Sequence, residues 1–191
     1  YTWEGMAFDL ETYGAQLGFQ LVDDPAKATV IIGSSGLDNG AASNAQAAAA
    51  VKAGTPYIAT GYAPLNYIAS ELLPGQFAFS GLGTESLHTV LYPTADSLIT
   101  ASKAADEDYI TYSYQTGYIT QAPAGSVELI RATAKDSHIA GVCPSEDGKE
   151  LDGKLEAISY EGGGLDLTIL ANSIVNKSHQ QDDYLYATNA I

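Results

Sequence analysis

Cysteine is all but missing from this chain. Cys143 is the only one in 191 residues, which excludes an internal disulfide. Basic residues are scarce as well: eight Lys and Arg stand against 23 Asp and Glu, for a formal charge of -15. A surface of that sign repels phosphate backbones and anionic lipid, so nucleic acid and membrane surfaces are poor partners. The acids are scattered, as on a solvated face, and form no acidic tail. Long hydrophobic runs are lacking too. The longest, Ala47 to Val51, is mostly alanine, far short of the roughly 20 apolar residues of a membrane span. No basic stretch followed by an apolar one opens the chain, so no signal peptide is expected. The start at Tyr1, reading straight into a helix, is that expected of an excised fragment or mature form.

What remains is a globular mixture, 46% hydrophobic and 16% charged, of a length suited to one buried core. No repeat or low-complexity linker divides it, so residues 1–191 are expected to form one domain. The first half alternates helix and strand. A helix is predicted from Trp3 to Leu17, ended by Gly18, then a short strand from Phe19 to Val22 and a turn or brief helix at Asp23-Asp24-Pro25. Thr29 to Gly33 is a β-branched run, as in a strand buried on both faces. Helices are predicted at Ser43–Ala53 and Ala63–Leu73, with a strand at Pro56–Gly61 between them. Such alternation argues for parallel pairing.

The second half reads differently. Strands are predicted at Ser86–Tyr92, Tyr109–Tyr114, Tyr118–Gln121, Val127–Thr133 and Ile139–Cys143, with turn residues between them. A hairpin follows, Lys154–Tyr160 with Leu165–Leu170, around Gly162-Gly163-Gly164. The last helix is predicted from Gln181 to Ile191. The fold class is therefore α/β, three-layered and doubly wound, a mostly parallel sheet with an antiparallel extension.

In open parallel sheets, ligands bind beyond the carboxyl ends of the strands. Two loops fall there: Gly33-Ser34-Ser35-Gly36 and Gly61-Tyr62-Ala63-Pro64-Leu65. A possible ligand cleft comprises Ser34, Ser35, Tyr62 and His179, the last in the loop before the final helix. His88, His138 and His179 stand apart in sequence, and none has the spacing of a zinc site, so no metal is expected. The acidic run from Glu146 to Asp152 lacks the spacing of a calcium loop and reads as a solvated turn. Gly81-Leu82-Gly83 lacks the third glycine of a dinucleotide fingerprint and precedes a strand. Neither metal nor cofactor is therefore expected. Thirteen tyrosines are many. Tyr112 and Tyr114 share a strand face, with Tyr109 and Tyr118 near, and such a face either packs on a helix or stacks on glycan or peptide.

The turn at Gly61 resembles the nucleophile elbow of class I glutamine amidotransferase-like domains, a strand running through a tight Gly-x-x turn into a helix. That resemblance implies a flavodoxin-like fold and places the nucleophile at Ala63, with Leu65 where a second glycine belongs. Alanine has no nucleophilic atom, and no late His-x-Glu pair supplies a base, so Gly61, Tyr62, Ala63 and Pro64 form a degenerate elbow. The ending, Leu151 to Ile158, Leu165 to Leu170, Asn176 to Gln181 and Thr188 to Ile191, resembles the degenerate domain appended to bacterial zinc carboxypeptidases of the carboxypeptidase A type. This second resemblance implies a non-catalytic accessory domain, extracellular or at the bacterial cell surface, with an upstream catalytic domain of the same chain as partner. The rivals are a glycan- or peptide-binding module and a hydrolase with a non-cysteine site around Ser34, Ser35 and Tyr62.

Overall fold

The computed structural model describes residues 18–33, 42–82, 87–94, 97–101, 108–113, 117–141, 149–172 and 184–191. Its centre is a parallel trio. Strand β1 (Ile31–Gly33) leads to helix α1 (Ala42–Lys52) and then to β2 (Tyr57–Thr60), which pairs parallel with β1, Ile31 opposite Tyr57. On the other side of β2 lies the last strand of the chain, β10 (Leu165–Leu170), also parallel, with Leu167 opposite Tyr57 and Leu170 opposite Thr60. β1 and β2 are buried throughout, and β10 is buried from Leu167 to Leu170.

Alternation along these strands sends neighbours to opposite sides of the sheet. Ile31, Tyr57, Leu167 and Ile169 pack with Ala47 and Val51 of α1 and with Leu65 and Ile68 beyond β2. Val30, Ile32, Ile58 and Leu170 pack on the opposite side with Leu129 and with Tyr186, which belongs to the short helix α3 (Tyr184–Ala190). The result is three layers, helices on either side of one sheet. Each Ile or Leu buried in this way contributes about 1.5–3 kcal/mol.

The remaining strands are antiparallel. β9 (Leu155–Gly162) forms a hairpin with β10 through Gly163 and Gly164, which have φ 60° and 84°. A two-residue turn with both φ positive matches the twist of the strands it joins, and glycine adopts it at no steric cost. Beyond β9 come β7 (Val127–Ala132), β4 (Leu87–Pro93) and β5 (Tyr109–Ser113), in the order β1-β2-β10-β9-β7-β4-β5. β8 (His138–Gly141) pairs with β4, while β3 (Ala78–Gly81) pairs with β6 (Gly117–Gln121), which pairs in turn with β9, Ile119 opposite Leu155.

The α/β fold with a parallel core and an antiparallel extension is thus present, the extension contributing more of the described pairings than the core. Three local expectations change. Phe19–Val22 is not a strand; Leu21 leans on the cluster around Val30, Ile32 and Ile58. β3 is a strand the sequence reading leaves out. The helix expected over Ala63–Leu73 is α2 (Tyr62–Tyr67) followed by a π-helical turn (Ile68–Leu72), closed by Leu73 N–H donating to Ile68 C=O at 2.8 Å. Asp24 caps the brief 3-10 turn Pro25–Lys27 by accepting from Ala26 N–H, as the Asp-Pro pair predicts. The helix predicted over Trp3–Leu17 lies outside the described residues.

Candidate functional site

Residue 61 makes the bend between β2 and α2. Gly61 has φ 81° and ψ 179°, a backbone that L side chains rarely adopt. Its N–H donates to Leu170 C=O at 3.2 Å, and its C=O accepts from Leu65 N–H at 3.4 Å, so the turn is held to β10 on one side and to α2 on the other. A nucleophile elbow puts its reactive residue on the strained position, where the side chain is thrust into the open. Here that position carries no side chain at all. Ala63 lies two residues further on, half-buried in the first helical turn, and Pro64 behind it is buried. Tyr62 is half exposed, at 50%, and sets its ring edge-on to Phe79 at 5.2 Å.

The polar groups at the carboxyl ends of the parallel strands converge on a different pair. Where β10 ends, Ala171 still donates to Glu156 C=O of β9 at 2.8 Å, and then Asn172 leaves the sheet. The Asn172 side chain spans two neighbours. Its Nδ2 donates to Glu156 Oε2 at 2.5 Å, and its Oδ1 accepts from the N–H of Gly117, the first residue of β6, at 3.1 Å. Its backbone carbonyl accepts from Thr60 Oγ1, at the end of β2, at 2.7 Å. One asparagine thereby ties β2, β9 and β6 together at the point where β6 takes the place of β10 beside β9.

Glu156 is only 3% exposed. Burial drives its carboxyl up to about 8, against the opposing hydrogen bond from Asn172, so the group is protonated at neutral pH. Its Oε1 has no hydrogen-bond partner among the described residues. Sequence reasoning missed both members of this pair. The available signal was an acid inside the otherwise apolar segment Leu155-Glu156-Ala157-Ile158 at the start of β9.

Across β9, at the same end of the sheet, lies an open groove of about 520 Å³. β6 supplies one wall, Lys154 and Leu155 the floor, and Glu128 with Arg131 of β7 the far side. Arg131 is held by both oxygens of Glu128, at 2.6 and 2.9 Å, and donates to Gly153 C=O at 2.9 Å. The Lys154 ammonium lies 5.0 Å from the centre of the Tyr118 ring, whose hydroxyl donates to Glu150 at 3.0 Å.

Of the cleft expected from the sequence, Tyr62 alone falls among the described residues, whereas Ser34, Ser35 and His179 lie outside them. So do Tyr114 and the side chains of Tyr109 and Tyr112. Tyr118 belongs to β6 and not to their strand. Nε2 of His138 sits 3.2 Å from Gly141 C=O within its own strand. Among the described residues no group of three His, Cys, Asp or Glu is gathered as metal ligands would be.

No family model and no curated protein matches the chain. Solved structures do. A GMP synthase-type protein from Thermoplasma acidophilum aligns over 99% of this chain and 87% of its own, at TM-score 0.60 and 10% identity. A ThuA-like protein from Bacteroides uniformis aligns over 100% and 87%, at TM-score 0.60 and 11% identity. A glutamine amidotransferase from Thermotoga maritima aligns over 96% and 75%, at TM-score 0.52 and 10% identity. Identity this low speaks for architecture alone. The chain has the flavodoxin-like α/β fold of glutamine amidotransferase-like and ThuA-like domains.

Proposed function

We propose that this chain is a non-catalytic domain of glutamine amidotransferase-like fold, serving as an accessory to a larger protein. One observation carries this reading. The strained position between β2 and α2 is a glycine, and the residues that follow it, Tyr62, Ala63 and Pro64, include neither a thiol nor an aliphatic hydroxyl. Acyl transfer through a covalent intermediate needs a nucleophile there and a base within hydrogen-bond reach. The polar side chains nearby support the same conclusion, because Thr60 and Asn172 use their hydrogen bonds to join strands.

The context proposed for the domain follows the resemblance of its ending to domains appended to bacterial zinc carboxypeptidases. In such a parent it would sit after the catalytic domain, outside the cell or at its surface, steadying that domain or positioning substrate. No metal or cofactor is proposed for the domain itself. Activity assays test the first part. The purified chain should show no turnover of glutamine, simple amides or esters, and Ala63→Cys should not create any, since no late His-x-Glu pair supplies a base to ionise the thiol. Turnover that survives repurification and is lost on changing a residue beside Gly61 would overturn the reading. Removing the domain from a full-length parent tests the second part: metal content should stay, while thermal stability or substrate affinity falls.

A further inference from the structure

The groove beside β9 belongs to no part of the proposed accessory role, and two cations, Lys154 and Arg131, line it. Acids outnumber cations 23 to eight, and a cation that lines a groove without a carboxylate partner is open to an anion from outside. Lys27 has Asp24, and Arg131 has Glu128. Lys154 has only the Tyr118 ring beneath its ammonium, and among the described residues no carboxylate lies within ion-pair distance. The two acids nearest to serving it are engaged, Glu128 by Arg131 and Glu150 by the Tyr118 hydroxyl. Arg131 in turn spends three of its five N–H groups on Glu128 and Gly153, leaving two to donate. Next to this cationic end, Ile119 and Leu155 provide apolar surface, and Thr120 and Gln121 provide polar edges. Gln121 gives its amide N–H to Gly75 C=O, which keeps its own carbonyl oxygen as an acceptor.

We infer that this groove is a binding site for a small carboxylate, its anionic head on Lys154 with Arg131 beside it and its body along β6. A volume of about 520 Å³ suits a dipeptide or a monosaccharide. A peptide's terminal carboxylate and a uronic acid share the chemistry that Lys154 recognises. The cation–π contact holds the ammonium in place before the ligand arrives, which lowers the cost of fixing a flexible lysine on binding.

Calorimetric titration of the chain at low salt tests the site with four probes: an N-acetylated dipeptide acid, its C-terminal amide, glucuronate and glucose. At least one acid should bind, and its neutral counterpart should bind about tenfold more weakly or not at all, as loss of a charge-assisted contact requires. Binding of the dipeptide acid alone identifies a peptide terminus as the source, and binding of glucuronate alone identifies a uronate. Lys154→Met keeps the aliphatic stem over Tyr118 and should weaken the acid by a similar factor, while Lys154→Arg should retain it. If Lys154→Met does not fold, the acid–amide comparison on the unaltered chain still decides. Silence from both acids at millimolar concentration, equal binding of acid and amide, or unaltered binding by a folded Lys154→Met would overturn the site. None of these outcomes touches the non-catalytic reading, since no groove residue belongs to the turn at Gly61.

Discussion

The parallel trio and the antiparallel extension treat polar groups in opposite ways. In the trio, β2 is buried at every residue, and the polar side chains at its carboxyl end are sealed inside and bonded to other strands. In the extension, β6 and β7 keep one side in solvent, and their charged and polar residues line an open groove. A sheet covered on both faces leaves a polar group no recourse but a protein partner. A sheet with one wet face leaves its charges available to something else. Among the described residues, Thr60 and Asn172, at the end where α/β sheets ordinarily bind ligands, are spent on joining strands, and the open groove lies on the neighbouring strands.

The sharpest way to break that comparison is to remove the tie at Asn172. Asn172→Ala deletes the bonds to Glu156 and to Gly117 N–H, leaving a buried carboxyl and a buried amide without partners. It should cost about 3 kcal/mol in denaturant unfolding, since each orphaned buried group costs roughly 1–3 kcal/mol. A loss below about 0.5 kcal/mol would mean that the pair is not structural.

Glu156 gives the next effect, through pH. Its folded pKa, about 8, lies above the ordinary value of 4.5. The folded state therefore holds the proton over a range in which the unfolded chain has released it. Stability from this group is complete below pH 4.5, declines as pH rises, and is lost once pH passes about 8. Glu156→Gln cannot titrate, so relative to it the unaltered chain should lose about 3 kcal/mol between about pH 5 and 8. Stability–pH curves that run parallel for the two proteins would show that Glu156 does not titrate in this range.

A smaller change should come from the trio's interior. Tyr57 is 1% exposed, and its hydroxyl has no partner among the described residues. Burial, with Tyr67 adding to it, raises its pKa well above the phenol range. Tyr57→Phe removes a desolvated hydroxyl at nearly constant shape, so its unfolding free energy should be unchanged or higher by up to about 1 kcal/mol. The extension supplies the contrast and the smallest effect. Glu128→Gln breaks the Arg131 pair, whose side chains are 30% and 45% exposed. That should cost no more than about 0.5 kcal/mol, because water screens such pairs.

The two regions also differ in legibility. The β-branched run at Val30–Ile32 and the alanine-rich stretch of α1 announce themselves, because burial on both faces and close helix packing each demand a narrow set of residues. The hairpin is legible from three consecutive glycines. β3 is not, since Ala78-Phe79-Ser80-Gly81 has neither alternation nor β-branching, and its existence depends on β6 arriving from 36 or more positions later in the chain. The short apolar segment Phe19–Val22 misleads for the converse reason: its composition suits a strand, but it pairs with none of the described strands. At the site, the absence of a thiol is plain from Ala63. That the strained position is Gly61 is not, because φ is not written in residue type when glycine is followed by an ordinary helix. The Glu156–Asn172 pair joins two positions 16 apart in sequence across a strand junction, a coincidence that no local pattern encodes.

The place of β10 has one more consequence, for how the chain is made. Thr60 and Asn172 meet across 112 positions, and β10 is the only described strand that joins β2 to the extension. A growing chain therefore completes α1 and β2 long before the strand that belongs between β2 and β9 has been synthesised. Until then β2 exposes an apolar, unpaired edge, the kind of surface on which incomplete chains associate. A chain stopped just before Leu165 should be insoluble, whereas one stopped after Asn172 has every pairing of the sheet available. The late arrival of its central strand makes this domain slow to mature and intolerant of truncation at its C-terminal side.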